Sequence, residues 1–315
     1  MNPMAHSLSR VFEAIFVTSV MMICVPNVSA FAQGTQQLLD ANGLLDRALE
    51  NRDHAAVDGL LDPEFSWVFP DGSHYYRPDI LRSLPMPRAG IGNGAEVMER
   101  IYGTKVGVIQ VFSGPFRGLR VWARRSAGWR IVHMHELDTT RADSPAPAVP
   151  LAQGFRYRDT LTADQLPDCE NPCTVMPYEP TTPRSKATLD SWMGQEVASA
   201  AMDINPEDGW AYYVADENVG QRSGNGGQGN PKLRRIATTL RRIEAGVEKS
   251  AQSVVLHMRL VDLEDAVLMV MIGQPLDGKP SWNSRVFVPN VDRYQMAASY
   301  GTIIRDVPSY RQLLE

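Results

Sequence analysis

The residues best suited to chemistry in this sequence are two histidines near the end of its first half, His133 and His135. In a β-strand every second side chain faces the same side, so Trp129, Ile131, His133 and His135 are expected to share one face. An imidazole with a pKa of about 6.5 can accept or donate a proton at neutral pH, so either histidine could act as a general base. A structural role, with one histidine in a core hydrogen bond and the other at the solvent rim, remains an alternative. No third ligand accompanies the pair, so no metal site is predicted.

The elements that must position these histidines are helices followed by strands. The pattern from Gln36 to Arg52 predicts an amphipathic helix. Strands are predicted at Val97 to Tyr102, Val106 to Phe112, Leu119 to Arg125 and Trp129 to Glu136. Helices first and antiparallel strands afterwards indicate an α+β fold.

The second half repeats this order, with predicted helices at Trp192 to Met202 and Pro231 to Ile243 before a second run of strands. We interpret the repeat as a tandem duplication, with domains at 33–140 and 188–315 and a proline-rich linker at 141–187. The apolar run Val267 to Ile272 predicts a strand buried on both faces, or else the lining of an adaptable pocket.

The first residues have the pattern of a secretory signal peptide. Arg10 precedes an apolar run from Ala14 to Val25, and the small residues of Ala30-Phe31-Ala32 follow. The run is shorter than the roughly 20 residues that span a bilayer. We therefore predict that residues 1–32 are removed and that the protein is exported, to the periplasm or outside the cell. A retained N-terminal anchor is the alternative.

Export changes the interpretation of the three cysteines. Cys24 would leave with the signal peptide, so Cys169 and Cys173 would remain as a close pair. In an oxidising compartment such a pair most simply forms a disulfide. A redox-active pair and a metal site are alternatives, although C-x-x-C is the usual redox spacing and a metal would need two further ligands.

Composition limits the class of protein and its partners. A chain of 315 residues has room for two domains, and its 43% of hydrophobic residues can form their cores. The net charge of -5 argues against nucleic acid as a partner. No cofactor is expected, and no membrane partner is expected once the signal peptide is removed.

Four segments carry a resemblance to a known family: Phe65 to Gly72, Glu99 to Gly103, Arg120 to His135 and Asp292 to Thr302. They resemble the nuclear transport factor 2-like (NTF2-like) superfamily, and within it the SnoaL-like or DUF4440 branch, in two tandem copies. The resemblance implies two cones, each a bent antiparallel sheet wrapped by helices around an apolar pocket. Members include isomerases, dehydratases and epoxide hydrolases as well as binding and association modules, so the fold does not decide the function.

The pocket of such a cone is predicted to be lined by aromatic, aliphatic and acidic side chains of both halves. They are Trp67, Tyr76, Glu99, Ile101, Trp122, Trp129, Ile131, Tyr294, Ala298 and Tyr300. Aligning Trp129 with Tyr294 places Ala298 and Tyr300 at the positions of His133 and His135. The second pocket therefore lacks both imidazoles, and any chemistry would belong to the first half.

Three functions remain open at this point. The leading hypothesis is a protein that binds a small, largely apolar molecule in its pocket. The second is an isomerase, dehydratase or hydrolase of the SnoaL type with His133 or His135 as general base. The third is an interaction module that associates, also with itself, through the outer faces of its sheets. The direction in which the two histidines point distinguishes the second hypothesis from the others.

Overall fold

A computed structural model describes residues 25–90, 94–140, 180–200, 205–222, 231–247, 253–275 and 280–304. All three cysteines, and with them the predicted Cys169–Cys173 disulfide, lie outside the described residues, as does most of the predicted linker.

The first half forms one six-stranded sheet with three helices. The elements are α1 (Val25–Glu50), α2 (His54–Leu60), β1 (Leu61–Val68), β2 (His74–Tyr76), α3 (Arg77–Ser83), β3 (Glu96–Tyr102), β4 (Val106–Ser113), β5 (Phe116–Arg125) and β6 (Gly128–Asp138). The strand order is β2-β1-β6-β5-β4-β3. Neighbouring strands are antiparallel except for β1 and β6, which are parallel.

The second half forms a separate five-stranded sheet with the same plan. Its elements are α4 (Pro183–Ala200), α5 (Pro206–Tyr213), β7 (Val214–Arg222), α6 (Pro231–Glu244), β8 (Ser253–Asp262), β9 (Val267–Pro275), β10 (Ser281–Asn290) and β11 (Arg293–Ile303). The order is β7-β11-β10-β9-β8, and β7 and β11 are the parallel pair. The predicted fold class, α+β with two sheet-and-helix units, is confirmed. Helix α4 begins inside the range predicted as linker.

Helix α1 covers the first sheet with one apolar face. Leu38, Leu45 and Leu49 recur at helical spacing and are fully or almost fully buried. The predicted cleavage point after Ala32 falls within this helix, and from residue 32 onward the first buried side chain is that of Leu38. Among the described residues, no helix has the length and apolar character needed to cross a bilayer.

The two sheets pack against each other, so each has a helix-facing face and an inter-sheet face. The inter-sheet face is apolar on both sides and includes Val108 and Val121 from the first sheet and Leu268 and Val286 from the second. The run Val267 to Ile272 is buried on both faces, as its composition predicts. The outer sheet faces predicted to mediate self-association therefore contact each other within one chain.

A turn of the first half also docks on the second half. The amides of Thr104 and Lys105 donate to a carboxylate oxygen of Asp265, at 2.7 and 2.9 Å. Gly103 lies in the left-handed region with φ of 56°, and a Cβ there would overlap the Asp265 carboxylate. Glycine at this position therefore permits the close approach of the two halves.

Candidate functional site

A β-bulge in β6 decides where the two histidines point. Val121 pairs with His133 and Trp122 pairs with Ile131, so Val132 is an extra residue in β6. The bulge shifts the alternation by one position. Ile131 therefore faces the helices, and His133 lies between the sheets. The prediction that Trp129, Ile131, His133 and His135 share one face is wrong for this reason.

Both histidines belong to a chain of hydrogen bonds that crosses the inter-sheet contact. His133 lies with Nδ1 2.9 Å from Ser66 Oγ and Nε2 2.7 Å from Ser284 Oγ. His135 lies with Nδ1 2.7 Å from the same Ser284 Oγ and Nε2 2.9 Å from Thr302 Oγ1. Each neutral imidazole has one donor and one acceptor nitrogen, so hydroxyls that both donate and accept can satisfy the whole chain.

This environment holds the imidazoles neutral. Both rings are fully buried. Burial, followed by the neighbouring His74, lowers the pKa of His135 to about 3. Burial and the neighbouring His135 likewise lower the pKa of His133. All four ring nitrogens form hydrogen bonds at the contact between the sheets. Neither histidine is therefore placed to take a proton from a molecule on the helix-facing side of either sheet. The arrangement supports the structural alternative of a core hydrogen bond and extends it to both histidines.

The helix-facing face of the first sheet and helices α1–α3, here called the first cup, contain most of the predicted pocket residues. Trp67, Met134, Arg120, Ile109 and Glu99 follow one another across the sheet in a single register row. The neighbouring row holds Leu61, Ile131, Trp122, Gly107 and Ile101. Trp67 and Trp122 are fully buried, whereas Glu99 is exposed at the sheet edge.

Three predicted pocket residues lie elsewhere. Tyr76 pairs with Ser66, and its ring is 4.8 Å from that of His74, so it belongs to the contact between the halves. Its neighbour Tyr75 pairs with Trp67 and contacts Phe69 on the cup side. Ala298 and Tyr300 are inter-sheet residues because β11 has its own bulge at Ala297. Tyr294 faces the helices of the second half, where it belongs to the hydrophobic core.

A buried polar cluster in the first cup was not predicted. Arg120 Nη1 lies 2.8 Å from Asp46 Oδ1 and donates to Asn42 Oδ1 at 2.8 Å. Arg120 Nη2 donates to the Ala89 carbonyl at 3.2 Å, and Glu136 accepts from the Ala89 amide at 2.7 Å. Burial raises the pKa of Glu136, and amide donation by Ala89 opposes that shift. Arg120 was overlooked because it stands among exposed arginines in a strand rich in basic residues.

A cleft of about 500 Å³ opens at the end of the first cup, between α1 and the turn that joins β5 to β6. Its apolar floor includes Ala41, Leu44, Leu60 and Trp129. The residues at its polar rim are Gln37, Asp40, Arg124, Arg125, Ser126 and Arg130. Of the predicted pocket residues, Trp129 is the one that lines this space. No group of three or more histidine, cysteine, aspartate or glutamate side chains suited to a metal ion occurs in the described part of the chain.

No protein-family model matches the chain, and no curated protein matches it. Among solved structures, a cystatin-like fold protein from Burkholderia xenovorans is 22% identical with a TM-score of 0.27, covering 34% of this chain and 92% of its own. An NTF2-like protein from Cytophaga hutchinsonii is 18% identical with a TM-score of 0.25, covering 32% and 94%. The association domain of C. elegans CaMKII is 19% identical with a TM-score of 0.27, covering 35% and 99%.

Proposed function

We propose that the first half binds a small molecule with an apolar or aromatic body and an anionic group, in the cleft at the end of the first cup. The observation that carries the proposal is the cleft itself, which combines an apolar floor with an arginine rim. A volume of about 500 Å³ is in the range of small-molecule sites.

The floor of the cleft accounts for the apolar body. Leu44 of α1 is 51% exposed and lines the cleft. Trp129 is buried at the same floor, and within the described residues its indole N–H has no hydrogen-bond partner. A ligand with an apolar body would cover the exposed part of this leucine.

The rim accounts for the anionic group. Arg124, Arg125 and Arg130 border the cleft, whereas Asp40 is its one acidic lining residue. Arg125 Nε donates to Asp62 at 2.7 Å, which fixes one guanidinium at the edge. A guanidinium binds carboxylate or phosphate oxygens through paired donors, so the rim favours an anion over a neutral group.

The proposal refines the expectation of a largely apolar ligand. It also includes the finer family assignment, namely two tandem NTF2-like copies of the SnoaL-like or DUF4440 branch. We further propose, from the sequence pattern of residues 1–32, that the protein works outside the cytosol. A general-base role for His133 or His135 is not part of the proposal, since both rings lie between the sheets.

The test uses cinnamate, an aromatic carboxylate, beside cinnamyl alcohol, which has the same skeleton and no charge. We expect cinnamate to shift the Trp129 indole signal among the six tryptophans in a nitrogen–proton NMR titration, and to bind at least about tenfold tighter than the alcohol. Arg130→Gln should weaken cinnamate binding and leave the alcohol unchanged. Arg234→Gln, an exposed arginine on α6, is the matched control.

Two results would overturn the proposal: no shift of the Trp129 signal at saturating cinnamate, or a shift confined to Trp192 and Trp210 of the second half. Equal binding of acid and alcohol would remove the role of the arginine rim. Native mass spectrometry of the purified protein supplies an independent arm, because a co-purified acidic molecule should be lost in Arg130→Gln.

A further inference from the structure

One wall of the cleft in the first cup is a single stripe of helix α1. Four residues at helical spacing line the cleft from this helix: Gln37, Asp40, Ala41 and Leu44. The stripe is polar toward the N-terminus of α1, at Gln37 and Asp40, and apolar at Leu44. The turn between β5 and β6 forms the opposite wall and carries the arginine rim. The α1 wall therefore has a polar end and an apolar end.

Asp40 is the feature of this wall that a purely anionic ligand does not explain. It is exposed and accepts one hydrogen bond, from Gln36 Nε2 at 2.9 Å. Within the described residues Asp40 forms no ion pair, although arginines line the same cleft. A bound carboxylate would be repelled by this acid, so an anion alone meets an unfavourable charge in the site. A cationic group on the same ligand would turn that repulsion into an attraction.

Arg124 brings a guanidinium close to Asp40 from the opposite wall. Its Nη2 donates to Gln37 Oε1 at 3.4 Å, a long contact that a better acceptor can replace. Gln37 and Asp40 are three positions apart on α1, so their side chains are neighbours on the helix surface. An acid and a guanidinium therefore border the same part of the cleft without pairing with each other.

On the basis of the cleft site proposed above, we propose that its ligand is a free α-amino acid with an aromatic or large apolar side chain. Such a molecule carries an ammonium and a carboxylate on one carbon, and both are charged at neutral pH. The ammonium donates to the Asp40 carboxylate, and the ligand carboxylate accepts from the arginine rim. The side chain lies along the apolar end of the stripe and covers the exposed Leu44. A cleft of about 500 Å³ has room for one such molecule.

Three ligands with the same aromatic ring separate the contributions of the two charges. L-Phenylalanine has both charged groups, 3-phenylpropanoate has only the carboxylate, and L-phenylalaninamide has only the ammonium. The full chain is titrated with each ligand, and the Trp129 indole signal is followed by nitrogen–proton NMR. We expect phenylalanine to bind at least about fivefold tighter than either of the others, because it alone satisfies both walls of the cleft.

Asp40→Asn removes the negative charge and keeps the shape of the side chain. We expect this variant to weaken phenylalanine binding by about fivefold, and to leave 3-phenylpropanoate binding unchanged or slightly tighter because the repulsion is gone. Glu50→Gln is the matched control and should change neither affinity. Glu50 is an exposed acid of the same helix, about 15 Å further along it and outside the cleft lining. Urea unfolding checks that both variants fold.

The possible failures separate the amino-acid ligand from the cleft site itself. Equal binding of phenylalanine and 3-phenylpropanoate, or an equal loss of both in Asp40→Asn, overturns the amino-acid ligand and leaves the anion site standing. Equal binding of phenylalanine and phenylalaninamide overturns the amino-acid ligand together with the role of the arginine rim. No shift of the Trp129 signal with any of the three ligands overturns the cleft site, and the amino-acid ligand with it.

Discussion

The two halves share one scaffold, but they differ in the polar groups placed inside it. Val121 of β5 and Val286 of β10 each pair with the residue that directly follows the bulge in the neighbouring strand. The two valines are therefore equivalent, and so are Arg120 and Arg285, which precede them. Each arginine faces an acid on the first helix of its own half. Arg120 lies 2.8 Å from Asp46 with both side chains buried, whereas Arg285 lies 3.5 Å from Glu196 with 12% and 18% exposure.

The difference extends to the rest of each interior. By the same alignment, the second half has Gly220 at the position of Trp67 and Gly301 at the position of Glu136. The second interior is built from apolar residues such as Met269 and Phe287. The comparison teaches that the arginine position common to both halves carries a buried polar cluster in the first and a longer, more exposed ion pair in the second.

Between the sheets the halves complement each other. The first half contributes His133 and His135, and the second half contributes Ser284 and Thr302. Either half alone would expose its apolar inter-sheet face to water and would lose these hydrogen bonds. We therefore expect the halves to unfold together, and the predictions below test that expectation and the difference between the two interiors.

The largest expected effect is loss of stability in acid. The folded-state pKa of His74 and of His135 is about 3, whereas the unfolded value is 6.5. Between these values the unfolded chain binds more protons, so the free energy of unfolding falls as the pH falls. Because two imidazoles stay neutral in the folded protein down to about pH 4, the free energy of unfolding falls by roughly 6 kcal/mol between pH 7 and pH 4. The lowered pKa values of His133 and His257 also reduce the free energy of unfolding in acid. The raised pKa of Glu136 has the opposite effect.

Urea unfolding between pH 7 and pH 4 measures this effect. His74→Phe should flatten the pH dependence by about one proton, or about 1.4 kcal/mol per pH unit. His54→Phe is the control, because His54 is an exposed histidine at the start of α2, far from the contact between the sheets. A denaturation midpoint that does not change over this range would contradict the neutral, buried state of these rings.

The next effect separates the two interiors directly. Arg120→Met leaves the carboxylates of Asp46 and Glu136 buried without their cation, and we expect it to cost about 3–5 kcal/mol. Arg285→Met removes a longer and more exposed contact, with an expected cost of about 1 kcal/mol. Urea unfolding at pH 7 measures both. Equal losses would show that the two arginines have the same structural role.

A smaller effect is expected from the hydroxyl that joins the two imidazoles. Ser284→Ala leaves His133 Nε2 and His135 Nδ1 without a partner, which should cost about 2–3 kcal/mol. Ser299→Ala, at a nearly buried serine of the paired strand, is the matched control and should cost less than about 1 kcal/mol. The ring signals of both histidines should move in Ser284→Ala alone. Unchanged signals would mean that the hydroxyl does not bridge them.

The fold was largely predictable from local patterns. Helical spacing in α1, the order of helices before strands, and the apolar run of β9 each indicated their elements because they depend on nearby residues. The bulge at Val132 was not predictable. Both faces of β6 are buried there, so the sequence shows no alternation that an extra residue could interrupt.

The candidate sites were predicted only in part, because they depend on contacts distant in sequence. Trp129 was predicted as a pocket residue and lines the cleft. Arg120 and Glu136 were missed, since Arg120 contacts α1 from 78 positions away and Glu136 contacts Ala89 from 47 positions away. The partners of His133 and His135 lie in the other half, so no pattern within β6 could indicate them.

The smallest expected effect is one in which the two halves should agree. The second helix of each half begins with an equivalent cap: the Ala56 amide donates to Asp53 Oδ1 and the Glu207 amide donates to Asn205 Oδ1, both at 3.0 Å. Asp and Asn are comparable at this position, so Asp53→Ala and Asn205→Ala should each cost about 1 kcal/mol. Urea unfolding at pH 7 measures both losses.

Equal costs would place the difference between the halves in their interiors, because the caps lie on the surface and depend only on local geometry. Asp53 carries a charge that also favours the helix N-terminus, so its loss can exceed that of Asn205 by a few tenths of a kcal/mol. A clearly larger cost for Asn205→Ala would contradict this account. It would mean that α5 depends on its cap more than α2 does, and that the second half is the less stable scaffold as well as the more apolar one.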